Sequence, residues 1–406
     1  MALHIDFNSS PGPSLGIEVE LEVVSATTGA LASAASDILT ELGRGHPDDE
    51  HPKAKHELFE CTVEVITGVC ETVAEARADL EGTIAEVRGA AEARGLTLMC
   101  SGTHPFSAWT DQTVSPNPRY TRLIDEMQWM ARRLQIFGIH VHVGVRSPEK
   151  AVAIANALAG YIPHFLALSA SSPFWEGLDT GLASSRSKVF EGLPTAGLPA
   201  PIESWSDFEQ FMETLVSSAA ISTVREVWWD IRPHPDFGTV ELRMCDGIPT
   251  LTEICAVAAL AQSLVAHLDA LLDRGFTLPR HRDWVLRQNK WRAGRYGVDT
   301  DLIADDQGRL EPAQQAIVEL VEEVTPTARK LDCVDELHGV RRILEVGPSY
   351  RRQRRVAAQG FDGPTGLGAV VDLLVGEFAT DEPFGGHPVV DQVVIDEATT
   401  AGGSRR

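Results

Sequence analysis

Positive charge is scarce in this sequence. Its 406 residues include 35 Lys and Arg against 58 Asp and Glu, a formal net charge of -23 at pH 7. Phosphate polymers and anionic membrane surfaces are bound through cationic patches, so this balance argues against nucleic-acid and membrane partners. Cysteine is sparse too. Cys61, Cys70, Cys100, Cys245, Cys255 and Cys333 are scattered and form no Cys-x-x-Cys pair. That spacing argues against a disulfide or zinc framework and for reduced thiols in a cytoplasmic protein. No run approaches the ~18–20 apolar residues of a membrane span. The first six residues lack the basic segment and apolar core of a secretory signal. A Walker-type loop, a Gly-x-Gly-x-x-Gly after a strand and a His-Glu-x-x-His helix are all missing.

What is present begins with Gly16-Ile17-Glu18-Val19-Glu20-Leu21-Glu22. Apolar residues alternate with carboxylates, the period of a strand, so Glu18, Glu20 and Glu22 share one face. Like charges so placed repel unless water or cations neutralise them. A wet edge strand explains the stretch taken alone. The pattern recurs, however. His140 and His142 share a face of the segment 137–145, and Glu241 and Arg243 share a face of 239–245. In Glu57-Leu58-Phe59-Glu60-Cys61-Thr62-Val63-Glu64, regular strand parity places Glu60 with Glu64. Glu57 joins Glu64 only if a bulge or turn follows it.

The 43% hydrophobic content is enough for one large domain or two tightly fused ones. Strands are expected at 14–24, 58–67, 96–100, 137–145, 227–231 and 239–245. Helices are expected at 73–94, 121–134 and 148–168, and the chain turns mostly helical from Leu251 to about Ala379. The Gly/Pro-rich stretch 169–206 reads as a long functional loop. Strands first and helices later indicate an α+β protein with a mainly antiparallel sheet. Residues 1–380 read as one catalytic domain, with the sheet mostly in 14–245 and the helical part in 250–380, and 381–406 as a flexible tail.

If the charged strands share one sheet, their polar faces make a single acidic floor. Carboxylates with one or two imidazoles suit hard cations such as Mg²⁺ or Mn²⁺ better than zinc. Arginines beside such a floor suit phosphate or carboxylate oxygens. The candidates are Arg186, Arg232, Arg243, Arg292 and Arg295, the last two in the basic run from Arg287 to Gly297, where Asn289, Arg292 and Tyr296 align on one helix face. Each residue has a plainer reading as a solvated charge or a surface ion pair contributing ~0–1 kcal/mol. A bound ATP would lie on the sheet through metals, since no phosphate loop is present.

Together these segments resemble the glutamate–cysteine ligase superfamily, in its bacterial carboxylate–amine ligase branch. The pieces that carry the resemblance lie between about Leu15 and Gln353. They include Leu15-Gly16-Ile17-Glu18-Val19-Glu20-Leu21, Val63-Glu64-Val65-Ile66-Thr67-Gly68, Gly138-Ile139-His140-Val141-His142-Val143-Gly144, Trp229-Asp230-Ile231-Arg232-Pro233-His234, Thr239-Val240-Glu241-Leu242-Arg243 and Asn289-Lys290-Trp291-Arg292. The resemblance implies a curved, mostly antiparallel sheet of glutamine-synthetase type, one face backed by helices and the other a funnel for ATP and metals. It implies phosphorylation of a carboxylate, usually the γ-carboxylate of glutamate, followed by attack of an amine on the acyl phosphate. It places metal ligands on Glu18, Glu20, Glu57, Glu64, His140 and Glu241. Glu20, Glu57 and Glu64 would share one ion, and Glu18, His140 and Glu241 would hold ions nearer the phosphates. Arg243 would meet the transferred phosphate and Arg186 a phosphate or substrate carboxylate. Arg232, Asn289, Arg292 and His142 would serve the nucleotide. ATP, Mg²⁺ or Mn²⁺, small acid and amine substrates and a homodimer follow as family expectations. No thiol-specific pocket is legible, so cysteine is not singled out as the amine. Two rival readings stay open: a metal-dependent amidohydrolase, which also uses His-x-His on a strand, and a non-catalytic relative that binds amino-acid metabolites.

Overall fold

The computed structural model describes residues 4–359 and 365–384. Its strands are β1 (Leu15–Ser25), β2 (Ala54–His56), β3 (Thr62–Ile66), β4 (Leu96–Met99), β5 (Gly138–Gly144), β6 (Phe174–Trp175), β7 (Leu178–Asp179), β8 (Ile231–His234), β9 (Thr239–Asp246), β10 (Asp301–Ile303) and β11 (Leu310–Pro312). The helices through the sheet region are α1 (Ala35–Gly43), α2 (Val73–Glu92), α3 (Pro118–Met127), α4 (Trp129–Arg132), α5 (Pro148–Leu158), α6 (Ile162–Ser169), α7 (Ser185–Phe190) and α8 (Trp205–Ser217). The later ones are α9 (Leu251–Asp273), α10 (Asp283–Tyr296), α11 (Ala313–Ala328), α12 (Val334–Val346), α13 (Ser349–Ala357) and α14 (Thr365–Thr380).

Seven strands form one sheet in the order β2-β3-β1-β5-β9-β8, with β4 paired to the far end of β1. Every pairing is antiparallel. This is the expected α+β architecture, and an open antiparallel sheet is not the strand–helix barrel that the amidohydrolase reading requires. One face of the sheet is apolar. Ile17, Val19, Leu21, Val63, Val65, Ile139, Val141, Val143, Val240 and Leu242 are buried in the main core, which α2, α5, α6 and α9 complete. Burying one such side chain contributes roughly 1.5–3 kcal/mol. A one-residue slip of β1 would expose its aliphatic set and drive its carboxylates into the core. The apolar face therefore sets the register that aligns the acids on the other face.

Several boundaries differ from the sequence reading. The expected strand at 227–231 lies instead at Ile231–His234, because Arg232 and Glu241 pair across β8 and β9. The helix expected over 121–134 breaks at Gln128, whose φ of 49° lies outside the helical region. The helix expected over 148–168 is interrupted by a 3₁₀ turn at Ala159–Tyr161. The segments Pro148–Ser169 and Leu251–Asp273 are long and apolar enough to cross a membrane, against the expectation that no run is. Their apolar residues are instead packed in the core of this protein. Of the expected tail, residues 385–406 lie outside the described residues.

Three helices of the helical part are fastened together by one buried guanidinium. Arg352 of α13 donates to both oxygens of Glu253 on α9 (2.8 and 2.9 Å) and to both oxygens of Glu377 on α14 (2.8 and 3.0 Å). All three side chains are at most 3% exposed. Replacing Arg352 with Met leaves two buried carboxylates facing each other without a cation. We expect a loss of about 3–5 kcal/mol in denaturant unfolding; unfolding at the wild-type midpoint would contradict that role.

Candidate active site

The polar face of the sheet carries a row of side chains in direct cross-strand register. Glu64 of β3 is opposite Glu20 of β1, Glu18 of β1 is opposite His140 of β5, His142 of β5 is opposite Glu241 of β9, and Glu241 is opposite Arg232 of β8. Directly opposed residues point to the same face, so the five strands present one continuous polar strip. Glu57 joins it by the route its parity demanded. Lys55 is opposite Glu64, so Glu57, two residues further on, follows on the same face, and the chain turns between β2 and β3. Glu60 is not part of the strip. It lies in that turn, where its carboxylate accepts from the Ser36 backbone N–H (3.0 Å) and hydroxyl (2.7 Å) at the start of α1.

Two groups in the strip gather ligand atoms within 4.8 Å of one another: Glu18 with His140 and Glu241, and Glu20 with Glu64 and His140. Each combines carboxylate oxygens with an imidazole nitrogen, a donor set that fits a hard divalent cation. His140 stands between the groups. Its Nδ1 lies 2.8 Å from Glu18 Oε2 and its Nε2 lies 3.9 Å from Glu20 Oε1. With Nδ1–H donated to Glu18, Nε2 keeps its lone pair. His142 places Nε2 3.2 Å from Glu18 Oε1 and 3.8 Å from Glu241 Oε1, and its Nδ1 3.1 Å from the Thr239 hydroxyl. Glu57 is outside both groups; its Oε2 accepts from the Leu58 N–H at 2.6 Å.

The two ends of the strip differ electrically. Burial pushes the Glu20 carboxyl up to about 8, with Glu57 adding repulsion. Burial also raises Glu57, and it raises Glu64 well above the carboxylate range, with Glu18, Glu57 and Glu20 repelling the latter further. At the other end, burial works against the Glu18 anion, but hydrogen bonds from His140 and His142 outweigh it and hold the carboxyl low. Arg232, Arg243 and His142 likewise overcome burial to keep Glu241 well below the usual range. His140 is lowered to about 4 by burial and by Arg243, so it is a neutral ligand near neutral pH. The Glu20–Glu57–Glu64 end is thus a set of buried carboxyls that repel one another, a penalty that Arg186 and Arg243 offset only in part.

The arginines divide into two kinds. Arg243 hydrogen-bonds Glu241 on the polar face and is partly exposed. Arg232 is spent on structure: Nε and Nη2 bind Glu241 Oε2 at 3.0 and 2.7 Å, and Nη1 donates to the Arg225 and Val227 carbonyls. Arg186 is buried, its guanidinium 3.4 Å from the Arg243 carbonyl and packed so closely on Gly138 that a Cβ there would collide with it. A Cβ on Gly138 would point to the same face as those of His140 and His142, and the Gly138 N–H donates to Glu20 Oε2 at 2.5 Å, so Arg186 packs on the polar face beside the Glu20 end of the strip. Asn289 and Arg292 are held elsewhere. The Asn289 amide exchanges hydrogen bonds with the Ile303 backbone (2.8 and 2.9 Å), and Arg292 donates to the Asp301 carbonyl (2.9 Å). Both fasten β10 to α10. Glu22 leaves the strip where the neighbour of β1 changes to β4, and accepts from the Ser101 hydroxyl at 2.6 Å.

Two features escaped the sequence reading. Lys290, 3% exposed, sets Nζ 2.5 Å from Asp230 and 2.7 Å from Glu191, and the Asp230 carbonyl accepts the Arg243 N–H at 2.8 Å. The acid and the base sit in separate motifs, and no local pattern announces their pairing. The second is a cleft of about 530 Å³ at the Glu18 and His142 end, walled by Ser10, Thr67, Val69 and Phe237. Its walls come from four segments distant in sequence.

The raised carboxyls have a signature in stability. A carboxyl whose pKa rises on folding stabilises the fold at low pH, and that contribution is lost as pH climbs through the folded value. His104, His140, His164 and His234 are lowered to about 4, so their opposing effect is nearly complete by pH ~7.5, about one unit above the free imidazole value. Between pH 7.5 and 8.5 the metal-free protein should therefore lose stability, mainly through Glu20 and Glu64. Millimolar Mg²⁺ or Mn²⁺ should restore it, more at pH 8 than at 6.5, because a cation binds the deprotonated carboxylates. Melting temperatures with and without the cation check this; a flat profile with no cation effect would contradict it.

A family model described as glutamate-cysteine ligase family 2 (GCS2) matches residues 14–369. The protein named "Putative glutamate–cysteine ligase 2-1" of Frankia alni is 57% identical over 381 residues, 94% of this chain and 99% of its own length. A relative from Thermobifida fusca, named "Putative glutamate–cysteine ligase 2", is 50% identical over 93% of this chain and 94% of its own. Among solved structures, a glutamate–cysteine ligase from Francisella tularensis in complex with AMP matches with a TM-score of 0.66 at 13% identity, covering 93% of this chain and 94% of that one. A bifunctional glutathione synthetase from Pasteurella multocida matches with a TM-score of 0.65 at 16% identity, covering 91% of this chain and 52% of that one. These structures share the fold, and the sequence relatives and family model go further: the chain belongs to glutamate–cysteine ligase family 2, whose members are carboxylate–amine ligases.

Proposed function

We propose that this chain uses ATP and Mg²⁺ to join the side-chain carboxylate of glutamate, or of a similar amino acid, to an amine. The observation that carries the reading is the strip itself: two carboxylate–imidazole groups share His140 and lie beside Arg243 and a nucleotide-sized cleft. The chemistry explains the charges. A carboxylate is a poor electrophile. Transfer of the γ-phosphoryl group to one of its oxygens gives an acyl phosphate and ADP, and the amine then displaces phosphate to form the amide. Divalent cations would supply charge stabilisation for the transferring phosphoryl group. Glu18, His140 and Glu241 would hold cation at the cleft end, and Glu20 and Glu64, with Glu57 alongside, would hold it at the other. Arg243 presents its guanidinium beside Glu241, where it would meet the transferring phosphoryl group. Buried Arg186, packed beside Glu20, would offset its charge, and Arg232, at the edge of the strip, would fix Glu241. His142 orients Glu18 and Glu241, while Asn289 and Arg292 support the fold next to Lys290. The substrates are small molecules. Six unpaired cysteines suit a reducing compartment, consistent with a cytoplasmic enzyme.

Glu18→Gln is the cleanest test, since Glu241 also neutralises buried Arg232 and its removal would cost stability. We expect Glu18→Gln to fold and to lose at least about 100-fold in ATP turnover with acid–amine pairs. ADP release across panels of amino acids and amines checks this. Turnover at the wild-type rate would remove Glu18 from the site. A folded wild-type protein that releases no ADP with any pair would leave the metabolite-binding relative as the better account.

A further inference from the structure

The cleft at the Glu18 end carries an aromatic ring that its own packing does not bury. Phe237 stands at the turn between β8 and β9 and is 55% exposed, yet it lines the cleft. The turn beneath it is held firmly. Gly238 has φ +64°, and a Cβ there would overlap the Asn8 carbonyl oxygen. The Asn8 N–H donates to the Pro235 carbonyl at 3.0 Å and the Asn8 side-chain amide to the Asp236 carbonyl at 2.8 Å. The ring itself is braced. Phe237 lies parallel to buried His234, with centroids 4.2 Å apart and planes 6° apart, and meets His142 edge-on at 5.6 Å. His142 in turn approaches Glu18 and Glu241. Val69, 88% exposed, and Ile66 line the same cleft from the end of β3 and the loop beyond it. An aromatic ring and exposed aliphatics next to charged metal-binding groups call for a ligand that is flat and apolar at one end and anionic at the other.

We propose that Phe237 is the base-stacking residue of the nucleotide cleft. It positions the purine of ATP while the triphosphate reaches the cations over Glu18, His140 and Glu241. This rests on the ligase reading. A braced ring loses little freedom when a base stacks on it, and the His234–Phe237 stack fixes the distance between the base and the strip.

The test compares ATP with inorganic tripolyphosphate, which carries the charge but no base, by calorimetric binding to the Mg²⁺-loaded full chain. Phe237→Ala should weaken ATP about 10- to 100-fold and tripolyphosphate less than about twofold, the range expected for one lost base stack. Phe237→Trp should keep ATP near the wild-type affinity. The proposal is overturned if Phe237→Ala binds ATP like the wild type, or if it loses ATP and tripolyphosphate equally, which would mark a collapsed turn. A wild-type protein that binds neither ligand would overturn the ligase reading together with it.

Discussion

Glu20 and Glu64 face each other directly across β1 and β3, and burial, with repulsion from Glu57 on both, holds the two carboxyls above their ordinary range. A fold does not bring like charges together in a buried strip for its own stability. The register that does so is imposed from behind, by the aliphatic face of the same strands, and the apolar core pays for the repulsion on the polar face. The strip is therefore a site with unspent electrostatic demand. A divalent cation meets that demand, and so does a proton. The competition between them links metal binding to pH.

The cations of the protein itself are disposed around this strip, not over it. Arg232 compensates Glu241 from the edge strand, Arg186 packs on Gly138 beside Glu20, and Lys290 pins Asp230, whose carbonyl takes the Arg243 N–H. Arg243 alone among these reaches the polar face while remaining partly exposed. Of the carboxylates in the strip, Glu18 lines the neighbouring cleft, where a ligand bearing negative charge could meet it through bound metal. The cleft beside Glu18, lined by Phe237 and Val69, gives that ligand an apolar end to occupy.

Much of this was legible in the sequence because strand parity is local. Alternation alone placed Glu18, Glu20, His140, His142, Glu241 and Arg243 on polar faces, and the same alternation defined the core. Glu57 was readable only conditionally. Its alignment with Glu64 depends on a turn that also sends Glu60 to Ser36, and nothing in eight residues states where such a turn begins. What stayed hidden was partnership at a distance. Arg232, Asn289 and Arg292 looked available because their charge or amide was visible and their partners were not. Each is held by a backbone or carboxylate that only the fold brings near. Lys290 and Asp230 were hidden for the same reason, and Phe237 because a cleft is a property of several segments at once.

The central claim is that the polar strip is a cation floor for phosphoryl transfer. Its most direct test is a crystal structure grown with Mn²⁺ and a non-hydrolysable ATP analogue, with manganese located by anomalous scattering. The account predicts manganese peaks within bonding reach of the Glu18, His140 and Glu241 group and of the Glu20 and Glu64 group, with the phosphates bridging toward Arg243. A nucleotide bound elsewhere, or a strip free of manganese with the nucleotide in place, would contradict it.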